Sequence, residues 1–151
     1  MSTLKVDTYL TRGGASEISI DKLKGVTAAG SMLVVAEGGT NTTNLQQGLA
    51  KAWVNFDGTA AGAAARGSFN LASMTDSGTG LYVCNLTNAF ANTNDCAATS
   101  SASAATTGSD NRNISTTITS ASAIASRVSN AASGAVLDTA INYVSAHGDL
   151  A

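Results

Sequence analysis

From Trp53 onward the chain is divided into short runs whose apolar residues recur at every second position, each run closed by Gly, Asn, Asp or Ser. A period of two places successive side chains on opposite faces of an extended strand. Leu81-Tyr82-Val83-Cys84-Asn85-Leu86 is the clearest case, and Trp53-Val54-Asn55-Phe56 runs into Asp57-Gly58 as a strand enters a hairpin. Ser68-Phe69-Asn70-Leu71, Asn113 to Ile118, Ile124 to Val128 and Ile141 to His147 read in the same way. Between them, Ala60 to Gly67 reads as a small-residue loop, and Thr75 to Gly80 and Ser133-Gly134 as turns. Asn88 to Gly108 reads as loops with one or two strands of small residues. About six to eight short strands separated by turn residues predict a mainly β fold, an antiparallel β-sandwich.

The period changes just before Trp53. In Leu45-Gln46-Gln47-Gly48-Leu49-Ala50-Lys51-Ala52-Trp53, the residues Leu45, Leu49 and Trp53 fall four apart, as on one helix face. Thr42-Thr43-Asn44 offers a side-chain oxygen to cap that helix, since it accepts an otherwise unpaired backbone N–H. A helix from about Asn44 to Lys51 carries Leu45, Leu49 and Ala52 on one stripe. So short a helix is unstable alone in water. Its stripe therefore needs something to pack on, and the same stripe from neighbouring subunits would serve. Three segments follow: a Gly-studded arm over 1–43 with a short strand expected near 4–8 and either a strand or the start of a helical turn over 17–23, a trimerising helix over 44–52, and a β domain over 53–151.

Composition supports assembly. Aromatic residues are 5% and charged residues 12% of the chain, there is no Pro, and the 44% hydrophobic share is inflated by Ala. Such a core releases little free energy at about 25 cal/mol per Å² of buried apolar area. With a net charge of only −2 the chain lacks the charge excess of a disordered segment, so extra area buried between subunits is the remaining source of stability. Strands filled with Ala, Ser and Thr suit a sheet whose outer face lies against another subunit. Lys plus Arg number 8 against 10 acids with no basic run, which argues against nucleic acid. The longest apolar stretch, Met32 to Ala36, is far short of a membrane span, and Met1 to Lys5 lacks the apolar core of a signal peptide. Synthesis in a cytosol is expected, and there Cys84 and Cys96 read as free thiols rather than a disulfide.

Catalytic chemistry is weakly represented. His147 is the single histidine, with Asp149 near it in sequence but no nucleophile elbow. In a trimer its three copies could meet at the axis and hold a metal or anion, although ordinary strand hydrogen bonding is the favoured reading. The ten acids are scattered singly, and Asp57, Asp76 and Asp110 stand in turn contexts that call for local backbone capping. Trp53 and Tyr82 could stack on a sugar, but both lie in strand patterns that favour core packing. No enzyme activity and no cofactor are expected.

Three stretches carry a resemblance. "NLQQGLAKAWVNFDGT", "ARGSFNLASMTDSGTGLYVCNLTNAF" and the closing "HGDLA" are similar to small fibre proteins of marine bacteriophages. In that group an "AKAWVNFxGT" segment precedes a "SFNxSSxTDxGTGxYxVxF" segment and many members end in "GDLA". The opening "STLKVDT" resembles their N-termini. The chain departs from the group in its Ala/Ser/Thr tract from Ala97 to Thr107, and in Cys84 and Leu86 where Val and Phe are usual. The resemblance implies an intertwined homotrimeric virion appendage: a short tail fibre or fibre tip, or alternatively a capsid decoration or head fibre. Its arm would join other virion proteins. Leu45, Leu49, Ala52 and Trp53 would form the trimer seam. Recognition loops on a rigid scaffold would present Asn92, Asn94 and Asp95, and Asp110, Asn111 and Arg112, to a host-surface glycan or protein.

Overall fold

The computed structural model describes residues 32–36, 39–103 and 112–151. The elements expected at 4–8 and 17–23, together with Asp110 and Asn111, lie outside the described residues. In chain order the elements are β1 Leu33–Val35, β2 Thr42–Asn44, α1 Leu45–Gly48, β3 Ala52–Asp57, β4 Ala64–Phe69, β5 Leu71–Gly78, β6 Leu81–Leu86, β7 Cys96–Ser103, β8 Arg112–Ser120, β9 Ala123–Asn130 and β10 Ile141–Gly148. The chain is mainly β, and every strand pairing is antiparallel. One four-stranded sheet has the order β4-β3-β10-β7, another has β5-β6-β9-β8, and β1 and β2 form a separate two-stranded ribbon.

The core follows from parity on the four central strands. Ala52, Val54 and Phe56 of β3, Asn142, Val144 and Ala146 of β10, Tyr82, Cys84 and Leu86 of β6, and Ile124, Ser126 and Val128 of β9 are all buried. Residues of both sheets join in one hydrophobic cluster. At its centre the rings of Phe56 and Tyr82 meet edge to face, with centroids 5.1 Å apart at 69°, an arrangement that brings a positive ring edge onto a negative face. The outer strands bury less. No residue of β4 is buried, and β7 and β8 are half-buried at alternate positions.

Most of the polar side chains taken into this interior are paired, the Ser126 hydroxyl being an exception. Thr139 and Asn142 are fully buried; the Thr139 hydroxyl donates to Asn142 Oδ1 at 2.6 Å, and Asn142 Nδ2 donates to the Thr139 carbonyl at 2.7 Å. Pairing of this kind removes the penalty of burying an amide.

Four local expectations are corrected. The helix spans only Leu45–Gly48. Asn44 caps it as expected, its side chain accepting from the Gln47 N–H at 3.0 Å, but Leu49 is already extended with ψ 140°. Gly48, a poor helix former, ends the turn, and the chain then straightens into β3. The loop expected over Ala60 to Gly67 becomes strand from Ala64, because an outer strand needs ladder hydrogen bonds to β3 more than apolar side chains. The run Ser68 to Leu71 is interrupted at Asn70, which has φ 59° and carries the chain from the first sheet to the second. Asn is among the residues that tolerate this left-handed region. Its amide donates to the carbonyls of Lys51 and Asn88, both at 3.0 Å, and accepts from the Asn88 N–H at 2.8 Å. Finally β5 continues through Gly78, so the expected turn contracts to Thr79-Gly80.

Candidate interaction surfaces

The four residues expected at a trimer seam do not share a stripe. Leu45 is half-buried, Leu49 is 54% exposed, Ala52 points into the core, and Trp53 stands on the outer face of the first sheet. The shortened helix separates them. Leu33, Val34 and Val35 of β1 are exposed as well, at 56%, 49% and 59%. The ribbon joins the helix directly, with Leu45 N–H donating to the Met32 carbonyl at 2.8 Å. A two-stranded ribbon is marginal by itself, and here its apolar side chains lack cover from the rest of the described chain.

The expected recognition loop between β6 and β7 is exposed, but its polar groups serve the loop itself. Asn92 Oδ1 accepts from the N–H groups of Asn94 and Asp95 at 2.7 and 3.0 Å, and Asn92 Nδ2 donates to Asp95 Oδ2. The Cys96 thiol donates to the Asn92 carbonyl at 3.3 Å. Arg112 opens β8, half-buried, with its Nε unpartnered. Asp110 and Asn111 cannot be placed beside it, lying outside the described residues.

Both cysteines are free. Burial raises the Cys84 thiol to about 12, and burial followed by the Asp95 charge raises that of Cys96, so neither is an activated nucleophile. Asp57 and Asp76 cap turns as expected. Asp57 Oδ1 accepts from the Thr59 N–H and hydroxyl at 3.0 and 2.6 Å, and Asp76 Oδ1 accepts from the Gly78 N–H at 3.0 Å. The Thr59 bonds, with Arg66 at 2.6 Å as a lesser cause, hold the Asp57 carboxyl below its usual range. His147 is exposed on β10, paired in register with Ala97, and no group of three His, Cys, Asp or Glu residues suited to a metal ion occurs among the described residues.

The surface that strand reading did not anticipate is the outer face of the first sheet. Phe69, Trp53, Ser145 and Thr99 form one row across it, and Gly67, Asn55, Tyr143 and Ser101 the next. Trp53, Phe69 and Tyr143 are 44%, 52% and 47% exposed. Between Trp53 and Tyr143 lies an open groove of about 500 Å³, lined also by Asn55, Thr99, Ser101 and Ser145. The signal was present in the parity: once Val54 and Phe56 take the inner face, Trp53 must face outward, and only Tyr82 of the two aromatic candidates is core. The corresponding face of the second sheet presents Val83, Ser115, Thr117, Ala125 and Arg127 instead.

No protein-family model matches the chain, and comparison with curated proteins and with solved structures likewise yields no match. Among the described residues no helix is long and apolar enough to cross a membrane.

Proposed function

We propose that the chain is a non-enzymatic structural subunit of a bacteriophage virion, assembling as a homotrimeric short fibre whose β domain is displayed for adhesion to the host surface. In this reading the two four-stranded sheets are the layers of an antiparallel β-sandwich forming the fibre head. Their shared core and the Phe56–Tyr82 contact support that arrangement. The observation that carries the assembly is the run of exposed apolar residues from Leu33 to Val35 with Leu49, on a ribbon and helical turn too small to be stable alone. Three copies packed about an axis would cover these side chains and form the neck, while the residues before them reach other virion proteins. The virion assignment itself rests on the resemblance of the stretches around Trp53, Leu81 and the C-terminus to marine phage fibre proteins. Placement on the capsid as a decoration or head fibre is the second reading, favoured by the same residues.

Two measurements test this. Light scattering should give a mass three times that of the 15.0 kDa chain; a single species of chain mass at micromolar concentration would refute the assembly. Antibody labelling of intact virions should mark the tail, whereas labelling confined to capsid faces would replace the tail fibre by the decoration reading. Unlabelled virions would remove both.

A further inference from the structure

The groove on the outer face of the first sheet has a chemistry of its own. Trp53 lies opposite Ser145 and Tyr143 opposite Asn55, which makes the two aromatic residues diagonal neighbours on adjacent strands. At such positions, about 7–8 Å apart, large rings still cooperate. Among the described residues no Asp, Glu, Lys, Arg or His lines the groove, and its polar side-chain groups are the Asn55 amide, the hydroxyls of Thr99, Ser100, Ser101 and Ser145, the Tyr143 phenol and the Trp53 indole N–H. Its volume of about 500 Å³ falls within the range of small-ligand sites. One polar atom is unaccounted for: Asn55 Oδ1 is shielded from water yet has no hydrogen-bond partner. An acceptor left so forfeits its bond to water without replacement and calls for a reason.

We propose that this groove binds a neutral saccharide, with pyranose rings stacked on Trp53 and Tyr143 and a sugar hydroxyl donating to Asn55. The weakly positive C–H face of a pyranose complements the negative face of an aromatic ring. Its hydroxyls act as both donors and acceptors, matching the amide and the hydroxyls of the lining. The terminal torsion of an Asn side chain is soft, so a modest turn presents Oδ1 to the groove. A purely apolar protein partner fits less well, because it would bury the same amide and hydroxyls without supplying partners. With no charged side chain among its described lining residues, the groove suits a neutral sugar better than an anionic one. The inference deepens the adhesion reading and moves the contact from the loops to the sheet.

Trp53 is the only Trp of the chain, so intrinsic emission reads this groove directly. The assembled protein is titrated to about 10 mM, well above a millimolar Kd, with gluco-, galacto- and manno-hexaoses and with a sialylated trisaccharide. The expected result is a saturable spectral change with at least one neutral hexaose and none with the sialylated sugar. Tyr143→Ala should weaken the response at least about tenfold, while Val83→Ser on the opposite sheet should leave it unchanged. Three results would each overturn the site: no response to any neutral sugar, a response to the anionic sugar alone, or full retention in Tyr143→Ala. A sugar-independent change that follows protein concentration and is lost in Tyr143→Ala would also overturn it, by assigning the groove to a second copy. Binding to host cells is scored separately. Competable cell binding without a sugar response removes the groove proposal and leaves adhesion; a sugar response without cell binding does the reverse.

Discussion

The Tyr82 hydroxyl, inside the core, donates to Asp138 Oδ1 at 2.8 Å, and the same oxygen accepts from the Gly80 N–H at 2.7 Å. One carboxylate thus ties the start of β6 to the segment that leads into β10. Gly80 has φ +66°, and a Cβ there would lie 2.6 Å from the Val128 carbonyl oxygen, so the turn it makes is closed to other residues. Tyr82→Phe keeps the ring against Phe56 and removes only the hydroxyl. It should cost about 1–2 kcal/mol, the value of a hydrogen bond to a charged acceptor that water can partly replace, read as a lower urea midpoint with unchanged slope.

Alkaline pH should destabilise the fold in two stages. Burial raises the Cys84 thiol from 9.0 to about 12. Burial first, then the Asp138 hydrogen bond, raises the Tyr82 phenol above its ordinary 10.0. Both groups hold their protons more tightly folded than unfolded. Their contribution is therefore complete below the unfolded pKa and declines as pH rises through it. Stability should fall by about 1.4 kcal/mol per pH unit for each group, from near pH 9 for Cys84 and near pH 10 for Tyr82. Urea midpoints between pH 8 and 11 test this: Cys84→Ala should flatten the first part of the curve and Tyr82→Phe the second. A wild-type curve flat to pH 11 would contradict it.

Asn70 combines a left-handed backbone with four hydrogen bonds made by one amide. Asn70→Ala meets both penalties, strain at φ 59° and loss of the bonds, and should cost about 2–4 kcal/mol. Asn70→Gly removes the strain alone and should fall between Ala and wild type. If Gly equals wild type, the amide bonds contribute nothing and Asn70 is only a backbone device.

Leu49 is 54% exposed in the single chain, so the β domain should tolerate a charge there. An assembly seamed at this residue would not, because it would bury three like charges together. Leu49→Asp should therefore lower the mass by light scattering toward 15.0 kDa while far-ultraviolet circular dichroism stays that of a β protein. Unchanged mass and melting would show that the seam lies elsewhere.

How much of this was legible depended on whether local pattern or tertiary context decides. The strands around Leu81, Ile124 and Ile141 announce themselves by alternation, because each buries every second residue in the shared core. Strand β4, Ala64–Phe69, has no such pattern, since it lies at a sheet edge and buries nothing. The four-residue spacing of Leu45 and Leu49 imitates a longer helix, yet the ladder that begins at Ala52 claims the chain first. The groove beside Trp53 was hidden for another reason. A large aromatic in an alternating run is usually core, and only the parity set by Val54 and Phe56 turns it outward.

That parity gives a direct contrast on β3. Phe56 is fully buried against Tyr82, and Trp53, three positions earlier on the same strand, is 44% exposed. Phe56→Ala leaves a cavity between the two sheets and should cost about 3–5 kcal/mol. Trp53→Ala removes more atoms but leaves no enclosed void. It loses its contacts with Phe69, opposite it in register, and with Gly67, whose added Cβ would lie 3.6 Å from the indole. Its cost should stay near 1 kcal/mol, as for other half-exposed surface positions. The comparison is made by urea denaturation of the two variants under conditions that hold the oligomeric state fixed, since dissociation would mix assembly into the apparent stability. If Trp53→Ala is as damaging as Phe56→Ala at constant mass, the indole is a structural residue and the face it occupies is part of the core rather than a surface.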